Sequence, residues 1–152
     1  MKIYSPEFSD GGAIPSKYTA DGQRINPPLF IEDVPFNAKS LALIVEDPDA
    51  PAGLWLHLLV WNMKISLNKI EEGIKDFGSL GMVGKNSSGN NDWDNINPPN
   101  GEHRYVFILF ALDCGLNLNP DTTNREDFYK AIDKHIIDRA ELIGRYTKSH
   151  NN

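Results

Sequence analysis

The chain carries one cysteine, Cys114, among 152 residues. A single thiol cannot close an internal bridge, so no disulfide framework holds the fold, and its place at the end of an apolar run is that of a small buried hydrophobe. Such usage fits a reducing compartment. Long apolar runs are missing too. Nothing approaches the roughly 18 consecutive apolar residues of a membrane span, and Met1-Lys2-Ile3-Tyr4-Ser5-Pro6-Glu7 has no leader-like apolar core. The expectation is a soluble, cytoplasmic protein without membrane insertion. Basic residues are few, 15 against 21 acidic ones, for a net charge of -6. With no Lys/Arg cluster to meet a phosphate backbone, nucleic acid is excluded as a partner. A local cationic pocket can still hold an anion inside an acidic protein. Also absent are a Ser-His-Asp or Cys-His signature for an activated nucleophile and any helical metal-binding spacing. No catalysis, cofactor or bound metal is expected.

Proline and glycine are plentiful, 10 and 12 residues, and they separate short segments rich in Val, Ile, Leu, Phe and Trp. That is the texture of strands and turns. The runs 40–46, 55–62 and 104–112 are almost continuously apolar, as strands covered on both faces must be, and they predict a central sheet. Weaker strand candidates lie at 2–4, 29–31 and 65–67. Near the C-terminus the period changes. Thr123-Asn124-Arg125-Glu126 has capping-box spacing, and Phe128, Ile132, His135, Ile136, Ala140 and Ile143 share a helical stripe, predicting one helix, kinked or straight, that Gly144 stops. The polar end from Lys148 to Asn152 is expected to fray. Between Gly73 and Gly101 lies a long irregular segment, the usual form of a functional loop or of a disordered one. No repeat or composition shift divides the chain, so 1–152 is expected to be a single domain.

Two stretches carry more chemistry than a turn requires. Asp47-Pro48-Asp49-Ala50-Pro51 follows an apolar strand, and Asp47 shares the parity of Leu41, Leu43 and Val45, which places its carboxylate where a core-facing row meets the sheet end. Taken alone, these residues are more commonly an Asx-type turn, Asp47 and Asp49 bonding nearby backbone amides. His57 alternates with Trp55, Leu59 and Trp61, an aromatic face where an imidazole needs a partner, either in the core or in a ligand. In Pro98-Pro99-Asn100-Gly101-Glu102-His103-Arg104-Tyr105, His103 and Tyr105 project to one face with Phe107 and Leu109, and Arg104 points away, suited to a structural ion pair.

Taken together these segments resemble the phosphatidylethanolamine-binding protein family, which includes the Raf kinase inhibitor proteins and the flowering-time regulators, and most closely its small bacterial branch. The resemblance rests on Ile14-Pro15, Tyr18-Thr19-Ala20-Asp21-Gly22 and Asn26-Pro27-Pro28-Leu29. It continues through the 40–51 block, Trp55-Leu56-His57, Asn62, Gly101, His103-Arg104-Tyr105 and Ala140-Glu141-Leu142. It implies a mostly β fold: an antiparallel β-sandwich with a large central sheet, short flanking helices and a C-terminal helix. It also implies a pocket for a small anionic or phosphorylated ligand, of phosphate or phosphoethanolamine type, formed by Asp47, Asp49, Pro51, Trp55, His57, His103 and Tyr105, with Asn95 at its mouth. Imidazoles and a phenol can donate to the anion, and carboxylates can hold the imidazoles protonated or bind an ammonium group. Modulation of a kinase or protease partner is implied as well, Ala50-Pro51 is a candidate cis bond, and exposed strand edges could support a homodimer.

The loop before His103 departs from the family. The bacterial branch usually reads Gly-Pro-x-Pro-Pro-x-Gly-x-His-Arg-Tyr, and here Asn95-Ile96 replaces Gly-Pro. Asn95 is expected to keep a left-handed backbone, Ile96 to add bulk, and Trp93, in place of a tyrosine, to narrow the pocket and make its rim more apolar. Lys134 replaces a glycine before His135. The competing hypothesis from another class is a metal-assisted hydrolase built from Asp47, Asp49, His57 and His103.

Overall fold

The continuous hydrophobicity of the three long runs has its reason in what covers them. The computed structural model describes residues 1–148, so of the polar end only Lys148 is included. Along them the strands are β1 (Lys2–Tyr4), β2 (Leu29–Glu32), β3 (Ser40–Asp47), β4 (Trp55–Met63), β5 (Lys69–Ile70), β6 (Met82–Val83), β7 (Glu102–Leu112) and β8 (Ile136–Thr147), with one α-helix, α1 (Arg125–Ile132), before the last. The large sheet has the order β6-β4-β3-β7-β8 and the small one β1-β2-β5. All pairings between these strands are antiparallel. Leu41, Leu43 and Val45 of β3 pack with Phe107 and Leu109 of β7 against Ile3, Ile31 and Ile70 of the small sheet. On the opposite face Ala42, Ile44, Ile108 and Phe110 pack against Phe128 and Ile132 of α1. Every residue of β3 is buried as a result. Among the described residues no helix is long and apolar enough to cross a membrane.

The expected strands at 2–4 and 29–31 form as β1 and β2, whereas 65–67 does not. There the Leu67 amide donates to the Lys64 carbonyl in a tight turn, and pairing resumes only at Lys69. A larger correction concerns the helix. It ends at Ile132, and the chain from Ile136 onward is β8, paired with β7 along its length. Phe128, Ile132, Ile136 and Ala140 are spaced by four, which satisfies both the helical period and the strand period of two. The alternation of buried Ala140, Leu142 and Tyr146 with exposed Arg139, Glu141 and Arg145 shows which period governs beyond the turn. The cap also falls one residue later than expected. Asn124 accepts from the Asp127 amide while Asp127 accepts from the Asn124 amide, and the Thr123 hydroxyl is drawn away to the Asn119 carbonyl at 2.7 Å.

The free edge of β8 is covered in part by the N-terminal loop: the Ile14 amide donates to the Arg145 carbonyl at 2.8 Å and the Arg145 amide to the Gly12 carbonyl at 2.9 Å. This close approach explains Gly144, which lies within the strand and does not stop a helix. A Cβ there would run into Ile14 and reach 2.9 Å from the Phe8 ring. Gly144→Ala should therefore destabilise the protein by about 1–3 kcal/mol, the usual cost of overpacking a tight core. Urea unfolding checks this, with a lower midpoint at unchanged slope expected.

Candidate functional site

β4 does not run straight against β3. Val45 pairs with Leu58 but Glu46 pairs with Leu56, which leaves His57 as the extra residue of a β-bulge. Strict alternation put His57 with Leu59 and Trp61; the bulge corrects this. Leu56, Leu59 and Trp61 face α1, while His57 turns to the other side, where its ring meets Tyr105 edge-on at 5.3 Å. β7 keeps its register, so His103, Tyr105, Phe107 and Leu109 line that side as the sequence predicts. Asp47 reaches it from the end of β3.

Asp47 is buried and satisfies both readings of its position. One carboxylate oxygen accepts the Asp49 amide at 2.8 Å, the Asx turn, and the other lies 2.6 Å from His103 Nδ1. His103 Nε2 faces the Asn100 carbonyl at 3.1 Å. Both of its ring nitrogens thus have partners within the protein. His57 is different. Its Nδ1 lies 2.8 Å from the Asp94 carbonyl, which can only accept, so Nδ1 carries the hydrogen and Nε2 is left over. Burial pushes its pKa below the ordinary 6.5, which keeps the ring neutral. Burial likewise pushes the Tyr105 hydroxyl up, so it stays a donor, and that hydroxyl makes no hydrogen bond to the described residues.

Asp47, Pro51, Trp55, His57, His103 and Tyr105 line one cavity of about 460 Å³. Asn95 lines it too, with Ser88, Asp94, Asn97, Pro98 and Pro99 completing the opposite wall. Of the expected residues only Asp49 is elsewhere. Its carboxylate takes the Arg104 backbone amide at 2.8 Å and grips the guanidinium at 2.8 and 2.9 Å on the outer face of β7. The Ala50–Pro51 bond, expected cis, is trans. Pro51 occupies the second position of a turn in which the Gly53 amide donates to the Ala50 carbonyl, where proline needs only its ordinary φ.

The rewritten loop also behaves differently from expectation. Asn95 does not adopt positive φ; among the described non-glycine residues only Arg24, Asp33 and Asn62 do. Ile96 is fully buried between the sheets, and its carbonyl accepts from the Ala20 amide at 2.8 Å, so its bulk anchors the loop instead of entering the mouth. Trp93 stacks on Phe107 at 6.2 Å, behind the cavity wall, and so does not narrow it. Asn95 alone of the three faces the cavity, with its Oδ1 buried and without a hydrogen-bond partner.

Sequence reasoning missed the loop's internal supports. Asp94 accepts from Trp55 Nε1 at 2.6 Å and from the Ser88 hydroxyl at 2.8 Å, which fixes the indole at the rim. Asn86, buried, donates to the Asp92 carbonyl and accepts the Ser88 and Asn90 amides. An asparagine-rich stretch with Gly89 signalled a loop but not which side chain would close it. The hydrolase alternative finds no support here: Asp47, Asp49, His57 and His103 do not bring donor atoms together as one ion requires, and Asp49 is held by Arg104.

A family model described as phosphatidylethanolamine-binding protein matches residues 4–147. A UPF0098 protein of Chlamydia pneumoniae is 45% identical, covering 98% of this chain and 100% of that one. Another, from Methanothermobacter thermautotrophicus, is 42% identical over 97% and 99%. The crystal structure of a phosphatidylethanolamine-binding protein homologue, CT736 of Chlamydia trachomatis, is 40% identical with a TM-score of 0.90, covering 97% of both chains. Escherichia coli YbcL, at 24% identity and a TM-score of 0.87 over 97% and 98%, shares the fold.

The Arg104 guanidinium holds the Asp49 carboxyl at about 2 against its ordinary 3.8. The folded protein thus takes up this proton at lower pH than the unfolded chain does. The pair's contribution to stability is complete above 3.8 and is lost as pH falls through about 2. Asp49→Asn should lower stability slightly above pH 3.8, because the pair is solvent-screened, and leave it nearly unchanged near pH 2, so that the acid limb flattens, as followed by denaturant midpoints across pH.

Proposed function

The chain belongs to the phosphatidylethanolamine-binding protein family, and on that premise we propose that its cavity binds a small anionic or phosphorylated ligand, a phosphate or phosphoethanolamine head group, without reacting with it. The observation that carries this is the meeting of two imidazoles and an unpartnered phenol at one end of the large sheet, in a cavity of about 460 Å³. Tyr105 donates through its hydroxyl. His57 Nε2 accepts when the ring is neutral and donates once an anion draws a proton onto it. Asn95 and the acidic Asp47, both on the cavity wall, suit an ammonium group on the same ligand, which favours a zwitterion over a bare anion.

Catalysis is not part of the proposal. His57 is held by a carbonyl oxygen and not by a carboxylate, and the Ser88 hydroxyl donates to an Asp94 oxygen that Trp55 Nε1 also occupies and makes no hydrogen bond to an imidazole among the described residues, so no nucleophile-histidine-carboxylate relay is assembled. In this proposal the chain acts as one cytoplasmic domain. Leu54 and Trp55, each 37% exposed beside the mouth, form the surface that a kinase or protease partner, or a second copy, would cover.

Calorimetric titration with inorganic phosphate, phosphoethanolamine and a nucleoside monophosphate tests the proposal. Saturable binding is expected, tighter for phosphoethanolamine than for phosphate, and Tyr105→Phe or His57→Ala should weaken it by about tenfold or more, the worth of a hydrogen bond to a charged group. Because His57 is neutral when unliganded and must gain a proton to donate, affinity should rise as pH falls. Sulfate is the clean probe for this, since its charge is constant from pH 8 to pH 6. Failure of phosphate and phosphoethanolamine to saturate, or affinity indifferent to both substitutions, overturns the proposal.

A further inference from the structure

The opposite end of the large sheet carries a second cluster that the pocket does not use. β7 spans eleven residues, so Asp113, just past its end, lies roughly 35 Å along the strand from its start. There Asp113, Cys114 and His135 bring one donor atom each to within 4.8 Å of one another. Asp113 Oδ1 is 2.8 Å from His135 Nδ1. Cys114 is half-buried, not enclosed as the apolar run before it suggested, and the other two side chains are about half exposed, so solvent reaches all three.

The backbone beneath these side chains is held in place. The Asp113 amide donates to the His135 carbonyl at 3.0 Å, joining the exit of β7 to the entrance of β8. The Ser40 hydroxyl donates to the Cys114 carbonyl at 2.6 Å, and the His135 amide to the Ile132 carbonyl at 2.9 Å. One imidazole nitrogen, one sulfur and one carboxylate oxygen are thus presented from two segments of fixed separation.

We propose that Asp113, Cys114 and His135 form a binding site for a zinc-class divalent ion, with water in the fourth position. The donor set decides the class. Calcium and magnesium take oxygen ligands at coordination numbers of about six or more, which one carboxylate cannot supply, whereas a mixed nitrogen, sulfur and oxygen set suits tetrahedral zinc. Bond lengths of about 2.0–2.3 Å place tetrahedral donors roughly 3.3–3.6 Å apart. The His135 and Asp113 atoms must therefore separate by about half an ångström, a small side-chain rotation at two exposed residues. On binding, the Cys114 thiol releases its proton to solvent and the sulfur takes the metal. The bound ion clamps β7 to β8 and stabilises the fold by mass action.

Cobalt titration of the reduced full-length chain tests this. One equivalent should bind per chain with a thiolate-to-cobalt charge-transfer band and the visible spectrum of a tetrahedral site. Cys114→Ser should abolish the band. His135→Ala should weaken zinc, measured by chelator competition, by more than the roughly 10–100-fold that losing an outer-shell partner costs. Zinc should raise the melting temperature of the wild type and not of either variant. His57→Ala should leave cobalt and zinc binding as they are, which separates this site from the pocket. Absence of the charge-transfer band, zinc affinity unchanged by His135→Ala, or zinc binding lost with His57 overturns the proposal.

Discussion

The large sheet is covered on both faces, and that constraint decides where the protein can place polar chemistry. Ionisable side chains are nearly absent from the middles of β3 and β4, because a charge there would need a partner within the packed layer. Glu46 shows the rule at the strand's last turn, where it is buried only because Arg125 at the start of α1 reaches it at 2.7 Å. Polar groups therefore collect where strands end. One end gathers Asp47, His57, His103 and Tyr105; the other gathers Asp113, Cys114 and His135.

Within the first group the buried Asp47–His103 contact joins the end of β3 to the start of β7 and has two roles. Removing either partner leaves a buried polar group unpaired, a loss of the order of 3–5 kcal/mol where the pair is charged. The same carboxylate organises the following turn through the Asp49 amide, so the geometry of Pro51 and Trp55 at the rim descends from it. Asp49, released from the cavity, fastens Arg104 on the outside of the same strand. One short motif thus divides its two carboxylates between opposite faces of β7.

Much of this was legible in the sequence because it follows from periods and parities. The three apolar runs are β3, β4 and β7, and the shared face of His103, Tyr105 and Phe107 needs only strict alternation. Alternation failed where a bulge interrupts it, at His57, since nothing local marks the extra residue. It failed again from 128 to 140, where a spacing of four is common to both periods and long-range pairing with β7 decides between them. The supports of the 84–97 loop were hidden for a further reason. Asn86 bonds backbone groups of Ser88, Asn90 and Asp92, Asp94 meets Trp55 and His57 from far along the chain, and composition does not record which of several asparagines and aspartates will be enclosed.

That loop is also where a departure from the family's pattern was expected, at Trp93, Asn95 and Ile96, and only one of the three side chains reaches the cavity. Trp93 and Ile96 are absorbed into the layer between the sheets, one against Phe107 and the other beside Thr19 and Ala20. Their burial holds the loop at both ends, and Asn95 between them has little freedom to withdraw its side chain. Its buried Oδ1, an acceptor without a donor, is a cost the fold carries at that point. Of the three side chains, Asn95 alone therefore lines the cavity.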